Sequence, residues 1–292
     1  MTGRCRDDGG GRAGGLDGLR GHLAAGAGGH RLRFGSGAAG IERLEASLVG
    51  AGFAPHRHDT YAIGVTLAGV QTFRYRGEPR HCLPGDWHVL HPDEVHDGTP
   101  GTDEGFGYRI LYVDPYLVQQ ALGGRPLPFV ADPVLRRREA RSPLWAWLRR
   151  IDEPLDDLQR LDLGVLVADM LEEHSAARPA RRSAPALEAL SRVRELIADD
   201  PVVRRSVEEF ERISGLDRWT LARQFRAAFG TSPTRFRTMR QLDRARLLLR
   251  GGTPPHEAAL KAGFADQSHL TRMFKRAYGL TPAAWTAALT GP

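Results

Sequence analysis

Two stretches of this 292-residue chain carry arginine, glutamine and hydroxyl side chains at helical spacing. Those side-chain types hydrogen-bond to base edges and phosphates of nucleic acid. In the first stretch they are Arg218 and Arg223, sharing their face with Trp219 and Ala222; in the second, Gln267, Ser268, Thr271 and Arg272. Each set stands opposite an apolar pair at i and i+4, Leu221 with Phe225 and Leu270 with Phe274. One helix face is then buried and the other left to solvent. The two stretches are copies of one another. Asp217 to Pro233 recurs forty-nine positions on as Asp266 to Pro282, with Leu, Arg, Phe, an aromatic, Gly and Pro in register. Phe236 and Trp285 extend the match. A repeated helical unit implies one small fold built twice.

The elements that would position these side chains are marked by their ends. In the first copy Ser206 with Glu209 reads as a capping box, Gly215 supplies a left-handed stop, and Asp217 caps the next helix. In the second, Thr253-Pro254 opens a helix, Gly263 ends it and Asp266 caps its successor. Each copy is therefore helix, tight turn, helix, the arrangement in which the second helix enters the major groove by its N-terminal residues. Between them Pro233 to Arg250 reads as one continuous helix, with Phe236, Met239, Leu242 and Leu249 placed to pack both units.

Charge separates this region from the rest. Residues 187–292 hold 18 Lys+Arg against 11 Asp+Glu, while residues 1–186 hold the remaining 23 and 24. The positive surplus lies wholly in the last third, where a polyanion partner fits. Residues 1–35 are Gly-rich and lack apolar periodicity, so a disordered segment, or an extension upstream of the true start, is expected there. From Ile41 to Val113 short alternating runs are split by Gly and Pro, as in an all-β sandwich or barrel. Phe73 and Tyr75 fall on one face of such a run, Arg74 and Arg76 on the other. A short helix is expected around Trp145, Leu148 and Ile151, and a longer one over Leu155 to Ala177. The longer one carries two apolar stripes, Leu158, Leu161, Val165 and Ala168, and Leu163, Val167 and Met170; a helix buried on both sides and a plain core helix both fit. Residues 179–186 read as a linker, dividing a domain over 36–178 from one over 187–292.

Other chemistries find little support. Cys5 and Cys82 are too few for a disulfide framework or a cysteine zinc cage, and no Ser/His/Asp, Walker or dinucleotide signature is present. No run of eighteen apolar residues and no secretory leader are visible, so a cytoplasmic protein without a membrane span is expected.

The stretch Ala262 to Lys275, followed by Tyr278-Gly279-Leu280-Thr281-Pro282, resembles the DNA-binding domain of the AraC/XylS family of bacterial transcription regulators. The resemblance covers about the last hundred residues. It implies base-reading positions at Trp219, Ala222 and Arg223 in the first unit, and at Gln267, Ser268, Thr271 and Arg272 in the second. Glu211 departs from the family's usual Ala at the close approach of two helices, so its charge must point out or find a partner.

Upstream, Pro55 to Tyr61 with Leu67-Ala68-Gly69, and Pro84-Gly85-Asp86 with Pro92 to Asp97, resemble the two half-motifs of the family's cupin-like sensing barrel. The resemblance implies a small effector in the barrel and a homodimer through neighbouring helices, the role then falling to Leu155–Ala177. His56, His58 and His96 are the imidazoles a metal-binding cupin would use, yet Ala62 and Ile63 stand where its carboxylate ligand would be. No metal, cofactor or catalytic role is therefore expected, although His88 and His91 lie on a neighbouring strand. The alternative is a metal-dependent cupin enzyme fused to a DNA-binding domain. The expected fold is α+β and multidomain: a cupin-like barrel with flanking dimerisation helices, then an all-α double helix-turn-helix domain. The expected partners are double-stranded DNA and a small effector lined by His56, His58, Tyr61, Phe73, Tyr75, His96 and Arg109, with RNA polymerase admitted as a further one.

Overall fold

Alternating side chains and glycine-marked turns build ten strands among the described residues of the first half of the chain. The computed structural model describes residues 29–136, 142–175 and 186–289. The strands are β1 (Gly29–Phe34), β2 (Ile41–Val49), β3 (Phe53–His56), β4 (Tyr61–Gly69), β5 (Gln71–Tyr75), β6 (Glu78–Cys82), β7 (Trp87–Leu90), β8 (His96–Pro100), β9 (Phe106–Val113) and β10 (Val134–Leu135). They form two antiparallel sheets, in the orders β1-β2-β9-β4-β7-β10 and β3-β8-β5-β6. The β5–β6 hairpin turns through Arg76 (φ 54°) and Gly77 (φ 86°), the paired left-handed residues that match the twist of a tight hairpin. Leu44, Ala62 and Phe106 of one sheet share a buried cluster with Phe73, Tyr75 and Cys82 of the other, closing the barrel interior.

The barrel starts earlier than its composition indicates. Of the expected Gly-rich extension, residues 1–28 lie outside the described residues, but Gly29–Phe34 is a strand in register with β2 from Gly29↔Val49 to Phe34↔Leu44. With only Leu32 and Phe34 apolar, the segment shows too little alternation to read alone; β2 supplies the ladder that orders it.

Helices α1 (Pro115–Ala121), α2 (Leu144–Arg149) and α3 (Asp157–Glu173) cover the outer face of the six-stranded sheet. The Asp156–Gln159 capping box starts α3 two residues later than its apolar pattern indicates. Leu163, Val167 and Leu171 of α3 face the sheet, whereas Leu158 (69 %), Leu161 (51 %) and Val165 (48 %) are exposed. Ala168, expected with the second group, is buried with the first. The linker's Pro179 to Pro185 lies outside the described residues.

The C-terminal helices are α4 (Leu187–Asp199), α5 (Val207–Ser214), α6 (Arg218–Phe229), α7 (Pro233–Arg250), α8 (Pro255–Lys261), α9 (Gln267–Tyr278) and α10 (Pro282–Ala288). Their boundaries follow local chemistry. Ser206 accepts from the Glu209 N–H, Asp217 from those of Trp219 and Thr220, and Asp266 from that of His269. The Ser206–Glu209 box is half made, since the Glu209 carboxylate pairs with Arg205 instead. Along α7, Phe236 joins the core of the first helical unit, while Met239, Leu242 and Leu249 join that of the second.

The second unit's core is continuous with the barrel interior. The Ala54 N–H donates to the Gly279 carbonyl (3.2 Å) and the Arg57 N–H to that of Arg276 (3.1 Å), tying β3 to the end of α9. Gly279 (φ 72°) is required there twice over. It ends α9 in the left-handed region, and a Cβ on it would stand 2.9 Å from the Ala54 carbonyl oxygen and from His56 Nδ1.

Candidate nucleic-acid interface and effector cavity

The faces singled out at α6 and α9 are solvent-exposed. Trp219 is 71 % accessible, Ala222 and Arg223 are exposed beside it, and Leu221 and Phe225 are buried on the opposite side. On α9, Gln267, Ser268 and Arg272 are exposed, Thr271 is half-buried, and Leu270 and Phe274 are buried. Both helix N-termini thus present polar side chains and backbone N–H groups outward, the geometry that holds base edges and phosphates.

The two faces differ electrostatically. Glu211, the family departure, accepts from the Arg218 backbone N–H (2.8 Å), its Nε (3.1 Å) and its Nη2 (3.2 Å). Glu208 takes a further bond from Arg218 at 3.2 Å. The Arg218 bonds hold the Glu211 carboxyl below the usual carboxylate range; that of Glu208 is lowered first by its own backbone N–H and the Ser206 hydroxyl, with Arg218 adding to it. The guanidinium expected to reach DNA is therefore engaged by two carboxylates of the preceding helix. Arg223 donates to the Thr220 hydroxyl (3.1 Å), and Arg272 forms no ion pair among the described residues.

A cavity of about 350 Å³ lies between the barrel and the helical domain. Its barrel side includes His56, His58, His88 and His96; its other wall is made by Met239, Arg240, Arg246, Tyr278 and Trp285 of α7, α9 and α10. Ion pairs fasten the two sides together. Arg240 meets Asp59 (3.0 Å), and Arg246 meets Glu42 (2.8 Å). Beyond the cavity, Asp93 receives Arg226 (2.7 Å) from the end of α6 and Arg235 (2.6 Å) from α7, while Asp114 receives Arg194. These couplings were not found from sequence. Their one local signal is Asp243 midway between Arg240 and Arg246, which pairs with both.

Three of the seven residues expected to bind effector line the cavity: His56, His58 and His96. The other four do not, for reasons of strand parity and packing. On β4, Ala62 and Gly64 face inward, so Tyr61 points outward into the cluster beneath α1–α3. On β9, Tyr108 and Ile110 face inward, and Arg109 points out to pair with Glu45 (2.6 Å) and donate to the carbonyls of Leu148 and Arg149. Phe73 and Tyr75 do point inward, but their rings are spent in the barrel core; Phe73 lies 6.0 Å from the His88 ring, backing the wall.

The imidazoles meet edge to face, with centroids 4.3 Å apart for His56 and His96 and 4.9 Å for His58 and His96. Burial pushes His56 down to about 4, and burial with the neighbouring His56 pushes His58 down to about 3. His96 is lowered well below its ordinary value, again by burial first. All three are neutral at pH 7. At the position of a cupin's carboxylate ligand stand Ala62 and Ile63, both fully buried, and among the described residues no group of three or more His, Cys, Asp or Glu is arranged to hold a metal. The donor set does not fit a four-ligand metal centre.

A ligand-sized cavity between a β-barrel and a helical domain that exposes two helix-turn-helix faces defines a two-domain sensor and DNA-binding protein. Residues 38–167 match the model of the AraC-like ligand binding domain, and residues 211–288 match a helix-turn-helix domain. The chain belongs to the AraC/XylS family of transcriptional regulators. It is 27 % identical over 223 residues to the uncharacterized HTH-type transcriptional regulator YbfI of Bacillus subtilis, covering 75 % of this chain and 81 % of that one. It is also 27 % identical over 243 residues to the arabinose operon regulatory protein of Salmonella typhimurium, covering 78 % and 83 %. Its fold is similar to that of ToxT from Vibrio cholerae, with a TM-score of 0.60 at 12 % identity, covering 86 % of this chain and 100 % of that one. No helix among the described residues is long and apolar enough to cross a membrane.

Proposed function

We propose that this regulator binds double-stranded DNA through α6 and α9 and responds to a small effector held in the cavity between its domains. The observation that carries the effector reading is the composition of the wall. Arg240 and Arg246 belong to the helix that spaces the two reading units, so a ligand there touches the barrel and the DNA-binding domain at once. A ligand favouring one arrangement of α7 against the barrel shifts the population able to bind DNA. ToxT has been solved with an unsaturated fatty acid bound and shares this two-domain fold, which supports a small-molecule ligand here without naming it.

The base-reading set is Trp219, Ala222 and Arg223 on α6 and Gln267, Ser268, Thr271 and Arg272 on α9, with Arg218 held back by Glu211. The second copy of the chain packs on the exposed stripe of α3, Leu158, Leu161 and Val165, making a homodimer. RNA polymerase is a further partner consistent with activation. The protein is a regulator and not an enzyme. Selection of genomic fragments on the full chain tests this reading. The expected outcome is a site with two blocks about ten base pairs apart, one turn of the duplex, bound less tightly as salt rises. Folded protein with no affinity for any fragment at low salt would sink it.

A further inference from the structure

Three buried imidazoles, His58, His88 and His96, and the half-buried His56 surround one end of the cavity, and their hydrogen-bonding states differ. His56 Nδ1 lies 2.8 Å from the Ala54 carbonyl oxygen, His58 Nδ1 2.9 Å from that of Thr60, and His96 Nδ1 3.0 Å from that of Glu94. A carbonyl oxygen can only accept, so each neutral ring keeps its proton on Nδ1. The Nε2 of each is left as a lone pair, an acceptor and nothing else.

His88 is different. It is 1 % exposed, it lines the same cavity, and neither of its ring nitrogens has a hydrogen-bonding partner in the protein. Burial alone brings it down to about 4, so at pH 7 it carries one N–H and one lone pair. The fold makes room for this ring. His88 on β7 is opposite Gly64 on β4, and a Cβ at Gly64 would stand 2.6 Å from His88 Nε2. Phe73 and Tyr108 flank it with ring centroids at 6.0 and 6.1 Å. A dry imidazole given space by a glycine and left bare at both nitrogens is costly unless something completes it.

The charged groups of the wall narrow what that something is. Arg240 is already paired with Asp59 and Asp243, and Arg246 with Glu42 and Asp243. An anionic head would meet lone pairs at the imidazole end; at the other, Arg240 and Arg246 are engaged by carboxylates and Arg250 lies over the Phe34 ring (5.6 Å). A group bringing its own hydrogen, without charge, suits all four rings. Leu44, Phe106 and Ile110 supply an apolar surface beside them.

Resting on the reading of this cavity as the effector site, we infer that the effector is an uncharged, hydroxyl-bearing molecule with an apolar body, its hydroxyl end held by His88 and by the Nε2 of one of the neighbouring rings, His56, His58 or His96. The hydroxyl donates to a lone pair and can accept the His88 N–H, completing the group that the protein leaves bare.

Three probes of similar shape test this on the full chain: 4-ethylphenol, 4-ethylanisole, which lacks the donor, and 4-ethylbenzoate, which is anionic. Binding is followed by calorimetry and by the ring-nitrogen NMR signals of protein labelled with ¹⁵N-histidine. The expected result is that 4-ethylphenol moves the His88 nitrogens and binds about tenfold tighter than 4-ethylanisole, the size of one buried hydrogen bond. His88→Phe weakens 4-ethylphenol more than 4-ethylanisole and so reduces that preference. The comparison of probes on the wild-type chain stands even where the variant does not fold. Equal binding of the phenol and the anisole, tightest binding of the benzoate, or no movement of the His88 signals by any probe overturns the inference. None of these readouts uses DNA, so a failed DNA-binding reading is told apart from a failed assignment of the ligand.

Discussion

His88 makes a measurable prediction about acid sensitivity. Its imidazole titrates near 6.5 in the unfolded chain and at about 4 in the folded one, with burial the single cause. Between those pH values the unfolded chain binds a proton that the folded chain refuses, so stability rises with pH across that window. The contribution is fully present above pH 6.5 and is lost as the pH falls toward 4. At about 1.4 kcal/mol for each pH unit, His88 alone accounts for about 3 kcal/mol over the window. Other buried imidazoles titrate there too, so the reading is the difference between the wild type and His88→Gln, which cannot take up the proton. Urea unfolding at pH 7 and at pH 4.5 should show a loss smaller in the variant by about 2–3 kcal/mol. The His88 Cε1 proton followed by NMR should show no titration above pH 5. If the variant has the wild-type pH dependence, or the ring titrates near 6.5, then His88 is solvated and the argument from its bare nitrogens falls.

The remaining expectations concern DNA, assembly and metal. On an operator library, Arg272→Ala should cost about 1–3 kcal/mol and relax one block of the site. Arg223→Ala should act on the other block, and Arg218→Ala should act least because Glu211 and Glu208 already hold that guanidinium; uniform weakening by Arg272→Ala would make it a phosphate clamp. Replacing Leu161 and Val165 together by Glu should turn the proposed dimer into monomer in sedimentation without unfolding it, since both side chains are exposed on α3; an unchanged sedimentation coefficient would place the interface elsewhere. Chelator should leave stability and DNA binding nearly unchanged. Near-stoichiometric metal in purified protein, lost in the His56→Ala, His58→Ala double variant, would instead favour the metal-dependent reading.

Much of this architecture was legible before any coordinates, because it is written in short-range chemistry. Asp217, Asp266 and Ser206 accept from backbone N–H groups two or three residues away, and Gly215, Gly230 and Gly279 take left-handed conformations that end their own helices. The unbroken α7 needed only the pattern from Pro233 to Arg250, and the paired reading faces needed only a 3.6-residue period, repeated. The family resemblance rested on these same local features.

What the tertiary structure decided involves partners distant in the chain, or a choice of sign that periodicity leaves open. Alternation along β4 and β9 is visible, but which parity faces the cavity depends on how the two sheets close, and a one-residue difference put Tyr61 and Arg109 on the outer side. Phe73 and Tyr75 had the inward parity and still missed the cavity, since neighbouring rings fill the space around them. Glu211 captures Arg218 across a turn whose geometry the seven-residue spacing does not specify. The joining of the second helical unit to the barrel interior, and the cavity walled by both, follow from contacts across roughly two hundred residues of chain, such as Glu42 with Arg246. Local propensity fixes elements and their ends, because those energies arise within a few residues. The walls of a cavity are set by which elements come to lie against one another, and that depends on the whole of the packing at once.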